Sequence, residues 1–223
     1  MLFDPQDDLS EITLQLGDPS GIERATPFWW LDTYDEGIDT SLWDRVEIAR
    51  TIYQLERPLP LETELSDILA EHRLVSRPYE VNDADEILRI NNGAFDWHPD
   101  QANWTTETFQ QALSADWVDL QSFRVFVEPG QAQRLCGFCW LRIHDDGNTP
   151  NSEIYLIAVD RTQTGLGFGR YIVVDSLDWT HRIHRLPAAT LWVESTNAVA
   201  LSLYSSLGFQ RTTTRHKVIP VQP

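Results

Sequence analysis

Three glycines at alternate positions, Gly165, Gly167 and Gly169, close the stretch AVDRTQTGLGFGR that runs from Ala158 to Arg170. An apolar strand pattern precedes them and a helical pattern from about Gly169 to Arg185 follows. Backbone free of side chains lets several amide N–H groups turn toward one anion at the positive end of that helix. A pyrophosphate suits such a loop; the other reading is a turn in which the glycines satisfy only local geometry. The spacing is GxGxG, without the final gap of GxGxxG, and it follows several mixed strands, so it is not a dinucleotide fingerprint. No Lys-Ser/Thr follows, which excludes a P-loop.

Two other spacings invite chemistry and lose it on inspection. Cys136 and Cys139 form CGFC inside the apolar run 134–143. Residues three apart on a strand point to opposite faces about 10 Å apart, beyond the roughly 7 Å Cα limit of a disulfide, so two reduced core thiols are expected. His181 and His184, three apart on a helix, could ligate a metal, but Arg182 and Arg185 beside them read as a basic helix end that complements the dipole. No metal is expected.

The elements that hold these residues follow from pattern and punctuation. Helices are expected from about Asp83 to Ala94, from Thr106 to Leu113 with Thr105 or Thr106 as cap, from Gly169 to Arg185, and from Ala198 to Leu207 with Gly208 as stop. Strands are expected at 123–128 and 134–144, with VEPGQ between them as a turn, and at 190–193 and 211–219. The strand from Glu153 to Val159 is apolar on both alternating sets and reads as buried on both faces. Upstream, strands are expected at 11–16, 27–31 and 51–55. Pro58 and Pro60 make RPLPLE an extended connector.

Charge marks a boundary near that connector. The chain of 223 residues has a formal net charge of −17. Residues 1–72 hold 17 acidic against 4 basic residues, and 73–223 hold 17 against 13. Two parts are therefore expected, an acidic segment over 1–72 and a larger domain over 73–223. Such acidity excludes binding driven by phosphate neutralisation, so no nucleic-acid partner is expected. With 42% apolar residues the chain can build a core. No run reaches the roughly 18 to 20 apolar residues of a membrane span, and the acidic start is unlike a signal peptide, so no membrane partner and a cytoplasmic location are expected.

The run WVESTNAVALSLYSSLGF, from Trp192 to Phe209, has strand, Asn-capped helix, glycine stop and aromatic in order. With the strand 153–159 and the glycine loop, it resembles the acetyl-CoA-dependent Gcn5-related N-acetyltransferases. Four further runs, FDWHPDQ from Phe95, GFCWLRIH from Gly137, EIYLIAVD from Glu153 and LWVESTN from Leu191, are similar to the C-terminal catalytic domain of the mycothiol synthase family, over residues 73–223. QLERPL at 54–59 is similar to the end of that family's N-terminal acetyltransferase-like domain. The resemblance implies a mixed α/β (α+β) acetyltransferase fold preceded by a remnant half-domain.

It also implies roles. The pantetheine arm of acetyl-CoA would pair with Ile157, Ala158 and Val159. The pyrophosphate would rest on Thr164, Gly165, Leu166, Gly167, Phe168, Gly169 and Arg170. Asn197, Ala198, Val199, Ala200, Leu201 and Ser202 would line the other side, although Asn197 is equally a helix cap. Glu153 would be the base that takes a proton from the substrate ammonium. A carboxylate at the mouth of an apolar strand, on one face with Tyr155 and Ile157, is partly desolvated, which disfavours its charged form; a solvated strand end is the alternative. Tyr204 would protonate the departing thiolate, placed beside the core stripe of Val199, Leu203 and Leu207; a tyrosine merely packed at the helix flank is the competitor.

Asp100, Arg142, Glu153 and Trp192 match positions that bind the amino-sugar acceptor, with exposed loop charge as the other reading of Asp100 and Arg142. The sequence departs from the family at three of these places. Thr164 stands where Gln or Arg is usual, Arg142 where Lys is usual, and Trp192 where Tyr is usual; Arg is not equivalent to Lys, and Trp has no hydroxyl. The expected partner is a small-molecule amine, cysteinyl-glucosaminyl-inositol by resemblance, and the expected assembly a monomer or weak homodimer. Two rivals stay open: acetylation of another amine or a peptide N-terminus, and a module that binds CoA without turnover.

Overall fold

The computed structural model describes residues 28–33, 46–62, 67–71, 74–98, 103–131, 133–145 and 149–220. The expected strand at 11–16 and the candidate residue Asp100 lie outside them. Backbone proximity divides the chain into two units. One takes the described residues up to Leu55, Trp192–Leu201 and those from Gln210 onward; the other takes Glu56–Leu191 and Ser202–Phe209.

In the first unit, strand β8 (Gln210–Pro220) lies between β1 (Trp29–Thr33) and most of β2 (Val46–Pro58), whose last three residues belong to the second unit. β1 and β8 are antiparallel, from Trp29↔Val218 to Thr33↔Thr214. Opposite charges one strand apart tie this pair: Arg215 Nη2 donates to Asp32 Oδ2 at 2.7 Å, and the same guanidinium lies 4.3 Å from the centre of the Trp192 ring. The strand expected at 51–55 is longer than local pattern suggests, thirteen residues in all.

The second unit holds β3 (Val75–Pro78), β4 (Phe123–Val127), β5 (Leu135–His144), β6 (Asn151–Val159) and most of β7 (Ala188–Glu194), in the order β7–β6–β5–β4–β3. Only β6 and β7 among these neighbours are parallel. Helices are α1 (Ile68–Glu71), α2 (Ala84–Ala94), α3 (Thr106–Leu113), α4 (Phe168–His184) and α5 (Ala198–Ser206), the last beginning in the first unit. The bounds of α3 are those expected, because Thr105 Oγ1 accepts from the Thr108 amide and Thr108 Oγ1 accepts from the Thr105 amide.

Alternation along β4 and β5 splits the core in two. On one side Phe123 stacks on Trp140, ring centres 4.6 Å apart, and Phe109 of α3 meets both edge-on. On the other, Phe126 meets Tyr171 of α4 edge-on. Gly137 is required here: a Cβ would stand 2.5 Å from the Ala158 carbonyl oxygen and 2.7 Å from Ile172 Cδ1. Cys136 and Cys139 are free, buried thiols, as expected, and burial pushes Cys139 up to about 12.

Three expectations need correction. β6 is not buried on both faces: Ile154, Leu156 and Ala158 are buried, while Tyr155 is exposed and Ile157 and Val159 are partly open. Its alternation is also broken, since Trp140 pairs with Leu156 but Leu141 with Ile154, leaving Tyr155 as a bulge. Glu153 therefore shares a face with Arg142 and not with Ile157, which pairs with Cys139 on the α4 side. On α5 the expected core stripe holds at Leu207, which is buried, and fails at Val199, which is 83% exposed, while Tyr204, expected beside the stripe, is itself buried at 6%. At about 100° per residue Ser202, Ser205 and Ser206, all exposed, share one side of the helix with Val199 beside them, and Tyr204 lies opposite. Finally, the expected extended connector begins as strand: Arg57 and Pro58 close β2, and Arg57 is fully buried with its guanidinium on the Leu207 carbonyl.

Candidate active site

β6 pairs with β7 only at Ser152↔Ala189, Glu153↔Thr190 and Ile154↔Leu191. From Tyr155 to Val159 it continues without a strand partner on that edge among the described residues, so alternate amides and carbonyls there are available to an extended ligand. The bulge at Tyr155 sits where the two strands part. Sheet pairing ends and the strand bends at one residue.

The strand delivers the chain into the glycine loop through a buried anchor. Asp160 is 1% exposed; it accepts from Arg89 Nη2 at 2.8 Å, from the Thr162 amide at 2.9 Å and from Thr162 Oγ1 at 3.0 Å. Burial alone would raise this carboxyl, but the Arg89 and Thr162 hydrogen bonds and the Arg89 charge overcome it and bring it to about 2. A 3₁₀ turn, Arg161–Gln163, is thereby fixed ahead of the loop. Gly165 and Gly167 follow at φ +83° and +81°, left-handed conformations that glycine takes without strain, and Gly167 caps α4.

The loop donors divide. Thr164 turns back, its Oγ1 donating to the Arg161 carbonyl at 3.0 Å and its amide to the same oxygen at 3.5 Å. Among the described residues the amides of Gly165, Leu166, Gly167, Gly169 and Arg170 meet no protein acceptor. They stand at the N-terminus of a seventeen-residue helix. Backbone donors at a positive helix end suit a phosphate-bearing ligand. Gly169 leaves room beside them, with a Cβ there meeting only Leu203 Cδ2 and Val159 Cγ2 at 3.7 Å.

At the other end of β6, Glu153 Oε2 lies 3.0 Å from His144 Nε2. The pair is diagonal across β5 and β6, since Arg142 is directly opposite Glu153 and His144 opposite Asn151. Arg142 does not use the opposing carboxylate; its guanidinium lies 5.2 Å from the centre of the Trp117 ring. Trp117 in turn packs on Tyr155 and Trp140, at 4.8 and 5.4 Å between ring centres. Burial raises the Tyr155 phenol, with Glu153 adding to the shift and Arg142 opposing it. A carboxylate, an imidazole and a guanidinium thus share one aromatic-walled patch.

Tyr204 is buried against Phe209, ring centres 5.5 Å apart. Burial pushes its phenol up, with the Cys139 thiol adding, so it stays protonated and able to donate. Ser202 and Tyr204 belong to the second unit, whereas Trp192 and Asn197–Leu201 belong to the first. There Asn197 acts as the expected cap, its Oδ1 accepting from the Ala200 amide at 3.1 Å. The second unit brings together Glu153, Arg142, Ile157–Val159 and the loop.

Sequence reasoning assigns no role to His144, Trp117 or the Asp160 anchor. The Asp-x-Thr spacing at Asp160 and Thr162 is an Asx-turn signal that could have found the anchor. His144 and Trp117 had no such signal, because their roles need the β5–β6 register and the α3–β4 connection. Among the described residues there is no group of three or more His, Cys, Asp or Glu that could hold a metal ion. Among the same residues no helix is long and apolar enough to cross a membrane.

Known proteins resemble this chain in sequence and in fold. A mycothiol acetyltransferase of Acidimicrobium ferrooxidans is 39% identical over 163 residues, 72% of this chain and 51% of that protein. The chain spans about half the length of the curated relatives it matches. A GCN5-related N-acetyltransferase from Sphaerobacter thermophilus superposes at a TM-score of 0.64 and 14% identity, over 89% of this chain and 61% of that one. A chain of the NatC complex bound to Gag peptide and CoA does so at 0.51 and 17%, over 68% and 100%. The model of the acetyltransferase (GNAT) family matches residues 85–209, more than half of the chain and the whole path from α2 through β6 and its loop to Tyr204, and the chain belongs to that family.

Proposed function

We propose that this acetyltransferase uses acetyl-CoA to acetylate the amine of a small molecule, and that the acceptor is cysteinyl-glucosaminyl-inositol. The carrying observation is the edge of β6 from Tyr155 to Val159, which has no strand partner among the described residues and leads into a loop where the amides of Gly165, Leu166, Gly167, Gly169 and Arg170 meet no protein acceptor among the same residues. Ile157–Val159 would offer backbone groups to the amide-bearing arm of the donor. The amides of Gly165, Leu166, Gly167, Gly169 and Arg170 would face its diphosphate, with the α4 N-terminus adding a favourable field. Bound acetyl-CoA would supply an activated acetyl thioester.

In this reading Glu153 takes the proton of the acceptor ammonium and frees its lone pair. Tyr204, held protonated by burial, returns a proton to the leaving sulfur. Arg142, aimed over Trp117, supplies hydrogen-bond donors to acceptor hydroxyls. Residues 1–72 are read as the remnant of an acetyltransferase-like half. The acceptor assignment is supported by the resemblance to mycothiol synthases and by relatives named mycothiol acetyltransferase.

Thiol release from acetyl-CoA, followed with a panel of amines, tests the proposal. Selective turnover of cysteinyl-glucosaminyl-inositol is expected. Turnover of another amine alone overturns the acceptor, and acetyl-CoA binding without turnover across the panel overturns catalysis in favour of a CoA-binding module.

A further inference from the structure

The carboxylate of Glu153 has two oxygens, and the protein engages one. His144 Nε2 lies 3.0 Å from Oε2, and among the described residues Oε1 meets no protein donor. The nearest strong competitor stands directly across the ladder: Arg142 is the register partner of Glu153. A guanidinium there could take both oxygens in a bidentate pair and leave none for an incoming ammonium. It is held instead over Trp117 at 5.2 Å. Trp117 is fixed by Tyr155 and Trp140, so the aromatic wall draws the cation away from the carboxylate.

We propose that His144 is the positioning residue of Glu153. This rests on the reading of Glu153 as the base that accepts the amine proton. An ionised carboxylate can only accept, so the imidazole is the donor, and His144 carries its proton on Nε2. That one hydrogen bond fixes the rotation of the carboxylate about its last torsion, which otherwise has a broad range. Oε2 is tied to β5 and Oε1 is presented to the acceptor. His144 itself takes no proton in the step: the proton leaves the ammonium for Oε1, and the N–H bond electrons become the attacking lone pair. Positioning of this kind matters because a small misplacement of a reacting group is costly in rate.

Two variants separate this role from simple packing. His144→Ala should lower kcat about 10-fold to 100-fold with the KM for acetyl-CoA changed less than about 2-fold. His144→Gln keeps an N–H donor of similar reach without a titrating ring, and should restore kcat to within about 3-fold of native. Native kcat in His144→Ala, or a His144→Gln as slow as His144→Ala, overturns the inference. Nitrogen-15 NMR of the full chain gives a readout independent of turnover. The neutral His144 ring should show its proton on Nε2; a proton on Nδ1 with a bare Nε2 overturns the assignment even if the variants are slow. A native chain that acetylates no amine in the panel overturns the reading of Glu153 itself. Turnover that ignores His144 overturns this inference alone.

Discussion

Glu153, near the start of β6, and Asp160, one residue past its end, are carboxylates seven positions apart on one segment, and their surroundings differ in every respect that matters for chemistry. Asp160 is buried and accepts from Arg89 and from two donors of Thr162, and it is held near 2. Glu153 is partly open and accepts from His144 alone among the described residues. A carboxylate with both oxygens engaged shapes backbone; one with an oxygen to spare can move a proton. The strand thus fixes the loop at one end and leaves a base at the other.

The sharpest way to break this comparison is to neutralise each carboxylate and ask which property fails. Glu153→Gln should lower turnover about 100-fold or more, the usual worth of a positioned general base, with acetyl-CoA affinity and unfolding midpoint close to native. Steady-state kinetics beside a denaturant melt decide it. Equal turnover would show that the proton leaves by another route.

Asp160→Ala should do the reverse. It strands the Thr162 amide and removes one of two partners of Arg89, whose other partner, Glu86 at 2.7 Å, remains. The expected cost is about 2 kcal/mol of stability, within the range for a buried hydrogen-bonded group whose partners are left behind. Acetyl-CoA affinity should also weaken as the turn ahead of the loop loosens, while turnover at saturating donor stays within a few-fold of native. An unchanged denaturation midpoint would show that Arg89 and Thr162 find other partners.

The two carboxylates were not equally legible. The elements around them could be read from local signals: the Thr105 cap set the start of α3, and alternating apolar residues located β4 and β5 within a residue or two. The glycine spacing announced the loop because positive φ is a local demand. What could not be read depends on partners far along the chain. From Ile154 to Val159 both alternating sets of β6 are apolar, so nothing in the pattern marks the bulge at Tyr155; it arises from the register with β5. That bulge moved Ile157 to the α4 side and gave Glu153 its neighbours Arg142 and His144. On α5 the signal was weak, since only the small serines Ser202, Ser205 and Ser206 mark the exposed side, with Val199 beside them and Tyr204, packed on Phe209, opposite.

The smallest expected effect is the acid limb of stability, and it sharpens the comparison by its sign. Asp160 is lowered from the ordinary 3.8 to about 2 in the folded chain. A group whose folded value lies below its unfolded one stabilises the fold at pH values above the unfolded value, and that contribution is lost as pH falls from 3.8 through about 2. Integrated over that window the loss is about 1–2 kcal/mol, discounted because Arg89 is partly solvated. Glu86 shares Arg89 and is lowered by its own hydrogen bonds from that guanidinium and from the Leu135 amide, so the acid limb of the native chain carries both groups. Asp160→Asn removes one of them: its stability should fall less steeply below pH 4 than that of the native chain, the two curves converging toward pH 2. Parallel curves would mean that the Asp160 carboxylate gains nothing from its partners on folding, and that its contrast with Glu153 is one of burial alone.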